Sequence, residues 1–171
     1  MSLKNKWLFI KMTNNLAKLL IPYKTISYAS LKDEQQMCVE FANHLRQLTL
    51  SGKFPYVWFH VANEFLPSAR PNYSFDLKQK HMGKVSGISD YCFISPDDCF
   101  FIEFKTASGR QTDNQKMFEG WCDLKKVPYF ICRSAKEGID LVEGRINPPG
   151  RGELKDNTGQ FISYSKSICQ S

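Results

Sequence analysis

Apolar residues along the chain fall into short blocks of two different periods. In "LKDEQQMCVEFANHLRQL", Met37, Phe41, Leu45 and Leu48 recur at helical spacing. Ser30 stands ahead of this run as a helix cap, with Asp33 at the third helical position, and "SGKFP" ends it. "YVWFHVA" (56–62) is rich in aromatic and β-branched residues and predicts a strand. "ISDYCFI" and "CFFIEFKTA" predict two more, and the tight "SPDD" turn between them makes an antiparallel hairpin. Thr112 or Asp113 caps a helix reaching about Lys126, with Met117, Phe118, Trp121 and Leu124 on its apolar side. "VPYFIC" predicts a short buried strand whose beginning tolerates Pro128, and "SAKEGIDLVEGRI" a last amphipathic helix. The order α-β-β-β-α-β-α predicts an α/β fold, a mixed sheet flanked by helices.

Three stretches fall outside this pattern. Residues 1–29 form a basic N-terminal extension in which "NNLAKLLIPY" predicts a short helix stopped near Pro22. Residues 63–86 read as a long loop with prolines and most of the mid-chain lysines, and loops of that length are usually functional or disordered. Residues 147–171, beginning "NPPGRGELKDNTGQ", are breaker-rich and irregular. The predicted core therefore spans residues 30–146, and there are no internal repeats.

Composition narrows the class. With 171 residues, 42% hydrophobic and 23% charged, the chain reads as one globular domain rather than a disordered one. Its apolar runs fall far short of the roughly 18–20 residues of a membrane span. No small-residue cleavage site follows "KWLFIKM", so no secretory signal is read and the expected location is cytoplasmic. The six cysteines lack C-x-x-C pairs and histidine partners, which argues for reduced structural thiols and against zinc. A net charge of +6 suits a polyanionic partner. Residues 1–30 hold five lysines and no acid, and 66–86 hold Arg70, Lys78, Lys80 and Lys84 against Asp76 alone.

Chemistry concentrates where charge interrupts strand. Of four acid-x-Lys triplets, only Glu103-Phe104-Lys105 breaks an apolar run. Alternation places Glu103 and Lys105 on one strand face, about 6–7 Å apart, with Ile102 and Phe104 turned into the core. Asp90, in the preceding strand, falls opposite or diagonal to Glu103 across the hairpin. Adjacent carboxylates repel unless a cation lies between them, and an oxygen-only set suits Mg²⁺ or Mn²⁺. Lys105 would then orient water or offset charge building on phosphorus. An exposed strand face carrying cross-strand ion pairs would use the same residues. Gly83 and Gly87 allow tight backbone before Asp90. Gln115 lies one turn into the following helix, within reach of the carboxylates, and Glu34 in the first long helix also reads as a helix-dipole partner.

"FHVANE", "HMGKVSGISDY", "FFIEFKTASGRQTDNQ" and "VPYFICRSAKEGIDLV", in that order, resemble the virus-type replication–repair nuclease (VRR-Nuc) domain of the PD-(D/E)xK nuclease superfamily. The resemblance covers roughly residues 30–146. It implies a restriction-endonuclease-like αβββαβ core, with Asp90, Glu103 and the carbonyl of Phe104 as Mg²⁺ or Mn²⁺ ligands and Lys105 as the catalytic lysine. Gln115 matches the family's helix glutamine and Glu34 its first-helix glutamate. His60, Asn63 and Glu64 match the segment after the first strand, without its usual glycines; His60 alone reads as a partly buried, satisfied histidine. Ser89 stands where the superfamily has its proline. The implied activity is a metal-dependent DNA endonuclease, acting as a homodimer on branched DNA such as four-way junctions, in a bacterial or phage-infected cell. Asn63, Arg70, Lys78, Lys80, Lys84 and Arg110 are the candidates for the nucleic-acid backbone. An RNA or tRNA endonuclease on the same core, or a non-catalytic nucleic-acid-binding module, are the alternatives.

Overall fold

A computed structural model describes residues 15–24, 26–61 and 73–147. A short helical segment over 15–20 stops before Pro22, as expected, and Arg46 Nε donates to the Leu20 carbonyl, 2.8 Å, to hold it. The first long helix, α1, is Asp33–Leu50. Its start differs from the sequence expectation. Ser30 closes a 3₁₀ turn, Tyr28–Ser30, and its Oγ donates to Ser27 O, 2.7 Å. Leu31 and Lys32 are extended, and the helix begins one residue later, where Gln35 Oε1 accepts from the Lys32 N–H, 3.1 Å. Asp33 and Glu34 occupy the first turn, where the helix dipole favours carboxylates.

Three strands follow the expected hairpin order. β1 (Val57–His60) pairs antiparallel with β2 (Tyr91–Ile94), which pairs antiparallel with β3 (Cys99–Phe104). β4 (Tyr129–Cys132) lies parallel to β3, giving a mixed sheet in the order β1-β2-β3-β4. Phe100, Ile102 and Phe104 are fully buried on one face of β3, against Phe41 and Leu45 of α1. α4 (Ala135–Ile146) packs on the same face; a Cβ on its Gly138 would lie 2.8 Å from the Phe104 ring. Phe93 and Phe100 stack at 4.5 Å between β2 and β3. At the hairpin end, Asp98 accepts from Tyr56 Oη, 2.8 Å, and pairs with Arg145.

α3 (Asp113–Leu124) covers the opposite face of the sheet, where Phe118 meets Phe101 at 5.2 Å. Thr112 is its cap, accepting from Gln115 N, 3.3 Å. The apolar side predicted for this helix is only partly the buried one. Phe118 and Cys122, one turn apart, face inward, whereas Met117, Trp121 and Leu124 are 65%, 52% and 74% exposed. The narrow contact with β3 takes a single i, i+4 stripe and leaves the adjoining one outside.

The stretch 63–86 is not all loop: Tyr73–His81 is helix α2, with Lys78, Lys80 and His81 in its last turn. No breaker stands between Asn72 and Gly83, and Gly83, at φ +95°, ends the helix in the left-handed region. Asn63, Glu64 and Arg70 lie outside the described residues. Among the described residues no helix is long and apolar enough to cross a membrane.

Candidate active site

Five of the residues singled out by the sequence meet at one end of the sheet. Glu103 is fully buried near the end of β3, and Lys105 follows it two residues on, 8% exposed. Period-two alternation points both away from the Phe104 face, as expected. Lys105 Nζ lies 2.6 Å from Glu103 Oε1 and 3.9 Å from Glu34 Oε2. Gln115, in the first turn of α3, donates its Nε2 to Glu103 Oε1, and its Oε1 accepts from Thr112 N at 2.8 Å. The amide is thus held at both ends, which assigns its orientation.

Asp90 sits immediately before β2. Its N–H donates to Glu103 Oε2, 3.2 Å, and its own Oδ2 accepts from Phe104 N, 2.8 Å. This reciprocal pair fixes the open end of the hairpin, opposite its turn, so that the two carboxyl groups are neighbours. Ser89, fully buried, donates to Tyr91 O, 3.0 Å, stiffening the turn where a proline was expected from the resemblance. Gly87 brings the same segment onto α3. At φ +78°, any Cβ there would stand 2.3 Å from Asn114 C and 2.6 Å from Gln115 N. The tight backbone expected at this glycine therefore serves contact with the chain's own helix. Gly83, by contrast, faces open space.

Electrostatics follow from this packing. Burial, then the neighbouring Asp90 charge, push Glu103 up to about 7, against the hydrogen bond and charge of Lys105. Burial also raises Asp90, opposed by the Phe104 N–H and the Lys105 charge. Burial disfavours the Lys105 ammonium, but Glu103, Glu34 and Asp90 together outweigh it and hold it above the ordinary lysine range. Three carboxylates surround one ammonium, so the cluster keeps an excess of negative charge.

Glu34 reaches the cluster from α1, not as a dipole partner alone. Its Oε1 accepts from Thr106 N, 3.1 Å, while Oε2 faces Lys105. An open hollow of about 250 Å³ lies beside it, lined by Lys32, Asp33, Glu34, Gln35 and Thr106. His60 is exposed rather than partly buried, its ring 5.0 Å from Tyr91 in an edge contact. The edge-strand position leaves it uncovered. Lys78 and Lys80 on α2, and Arg110 in the β3–α3 loop, are exposed, and Lys84 is half-buried.

Among the described residues, no three His, Cys, Asp or Glu side chains form a metal-binding group. The oxygen donors brought side by side are the Asp90 and Glu103 carboxylates, joined through the Asp90 N–H. That set fits a hard divalent ion that keeps several waters, because Mg²⁺ is commonly held by only one or two carboxylates.

Sequence reasoning missed Arg133. Its Nη1 donates to three carbonyls of the segment after β3: Thr106 at 2.6 Å, Gly109 at 3.1 Å and Ala107 at 3.3 Å. The available signal was topological. A parallel β3–β4 pair places the residue after "YFIC" beside Lys105, and Lys105 N donates to Cys132 O, 3.0 Å. Comparison with protein-family models, with curated proteins and with solved structures found no match for this chain.

Proposed function

We propose that this chain is a metal-dependent endonuclease that hydrolyses phosphodiester bonds in DNA. One observation carries the reading: a fully buried Glu103 locked to Lys105 at 2.6 Å, with Asp90 alongside and the 41%-exposed Glu34 side chain linking the cluster to the surface. A merely structural pair at this depth needs no second and third carboxylate. Leaving the surplus negative charge in place costs stability, and a cation would relieve it.

Asp90, Glu103 and the Phe104 carbonyl would hold the ion. Bound there, Mg²⁺ or Mn²⁺ supplies Lewis-acid polarisation of the phosphate and lowers the pKa of a bound water. The protein's own groups do the rest. Gln115 and the Asp90 N–H fix both Glu103 oxygens, so the carboxylate needs no reorganisation when substrate arrives. Lys105 keeps its proton, orients the attacking water and faces the charge that builds on the phosphate oxygens. Glu34, 3.9 Å from Nζ, keeps the ammonium charged and limits its swing. Lys78, Lys80, Lys84 and Arg110 position the nucleic-acid backbone, a role that carries no sequence preference. Branched DNA cut symmetrically needs two such sites, which favours a homodimer as the working form.

The test is cleavage of matched linear, flapped and four-way-junction DNA, and of RNA, in Mg²⁺, Mn²⁺ and EDTA. The Lys105→Ala variant is run in parallel, with circular dichroism to check its fold. Expected is metal-dependent cutting of DNA that falls at least about 100-fold in the variant. Cutting of RNA alone would move the assignment to an RNA endonuclease. Tight binding with no cutting in any metal would replace the enzyme with a binding module.

A further inference from the structure

We propose that Arg133 is a positioning residue for this site, setting the geometry of Glu34 and Lys105 through the loop that follows β3. The inference rests on the endonuclease reading for its kinetic consequence but not for its structural one.

One guanidinium nitrogen serves three backbone carbonyls, those of Thr106, Ala107 and Gly109, at 2.6, 3.3 and 3.1 Å. Three carbonyl dipoles aimed at one point repel one another unless a cation sits there, so the curl of residues 106–109 depends on the Arg133 charge. The curl has a readable effect. It turns the Thr106 N–H onto Glu34 Oε1, 3.1 Å, and lays Gly109 so close that a Cβ would stand 3.2 Å from that oxygen and 2.8 Å from Thr106 Oγ1. Gly109 N also donates back to Thr106 O, 3.0 Å. Glu34 is thereby anchored by one oxygen to the loop, leaving the other to face Lys105 Nζ.

Arg133 itself is well placed to hold this shape. Its backbone N–H donates to Glu137 in the first turn of α4, and Ser134 Oγ accepts from Glu137 N, 3.1 Å. The residue is therefore fixed between the end of β4 and the capped start of a helix, a rigid base for a flexible side chain. Arg133 is exposed, but its Nη1 is committed to the three loop carbonyls, which routes its contribution through Glu34. A guanidinium suits the task because its donors are planar and it stays charged at any working pH.

The experiment uses the full chain with Arg133→Met and Arg133→Lys, each alone and combined with Glu34→Gln. Hydrogen exchange of the Thr106 amide is read by NMR, and kcat and KM on the best DNA substrate are measured separately. Expected for Arg133→Met is at least tenfold faster Thr106 exchange with a roughly 10- to 100-fold drop in kcat at unchanged KM. Arg133→Lys restores part of both, and adding Glu34→Gln to Arg133→Met costs little more, because both act on one pathway. Unchanged Thr106 protection overturns the proposal, as does a rise in KM with kcat held, which would make Arg133 a substrate contact. Should Arg133→Met fail to fold, Thr106 protection in Arg133→Lys decides alone: partial loss supports the role and no loss overturns it. If the wild type cuts no nucleic acid, the exchange result still decides the link between Arg133 and Glu34, and only the endonuclease reading falls.

Discussion

Glu103 carries the sharpest consequence of burial. Its carboxyl titrates at about 7 in the fold against about 4.5 when unfolded, so between those values the native state binds more protons. Stability in EDTA is therefore highest below about pH 4.5 on this account and declines as pH rises through about 7. The expected contribution is on the order of 3 kcal/mol, and Glu103→Gln flattens the decline in urea titrations across this range. Lys105→Met leaves the buried carboxylate without its 2.6 Å partner. A loss of roughly 3–5 kcal/mol is expected at pH 8, shrinking toward pH 5 as Glu103 takes up a proton instead. A pH-independent loss would mean that only the packing of the lysine stem matters.

Elements meet the site through close backbone contacts, and two glycines separate close approach from turn formation. Gly87→Ala drives a Cβ into the backbone of α3 at Asn114 and displaces Gln115, costing roughly 2 kcal/mol or more by thermal denaturation. Gly83→Ala meets nothing within 4 Å and costs only the left-handed conformation, about 1 kcal/mol. Equal losses would place the strain in φ alone. The same scale shows what the amino-acid pattern could reveal. Period two along "CFFIEFK" was enough to put Glu103 and Lys105 on one face, because a strand's side-chain direction is local information. The fall of Met117, Trp121 and Leu124 outside the core was not legible, since it depends on how narrow the sheet contact is. Helix α2 was hidden by the prolines before it, and Arg133 by a partner loop 27 residues away in the chain. Ser30 looked like a cap in composition, but the 3₁₀ turn claimed its hydroxyl first.

At the scale of the whole molecule, the proposed encounter with DNA would be governed by charge rather than shape. The chain carries +6, and exposed Lys78 and Lys80 sit together in the last turn of α2. Binding to linear DNA, measured by anisotropy in EDTA, should weaken steeply with salt. Replacing both lysines with alanine should reduce the log–log slope by about 0.9 for each phosphate left without its lysine, whatever the DNA sequence. An unchanged slope would remove α2 from the interface. The remote Asp98 cluster with Tyr56 and Arg145 lies at the hairpin end, so Asp98→Ala should lower the melting temperature while leaving that salt dependence intact.

The parallel pairing of β3 with β4 also orders events during synthesis. Lys105 takes its backbone partner from Cys132, and its neighbouring loop takes a cation from Arg133, 27 residues beyond Thr106. At the usual 5–20 residues per second, those partners leave the ribosome roughly 1–5 s after the segment they complete. Until then the nascent chain holds its acids and its lysine without the frame that aligns them. On the proposed reading, the site is complete only once the chain has been extended past Arg133.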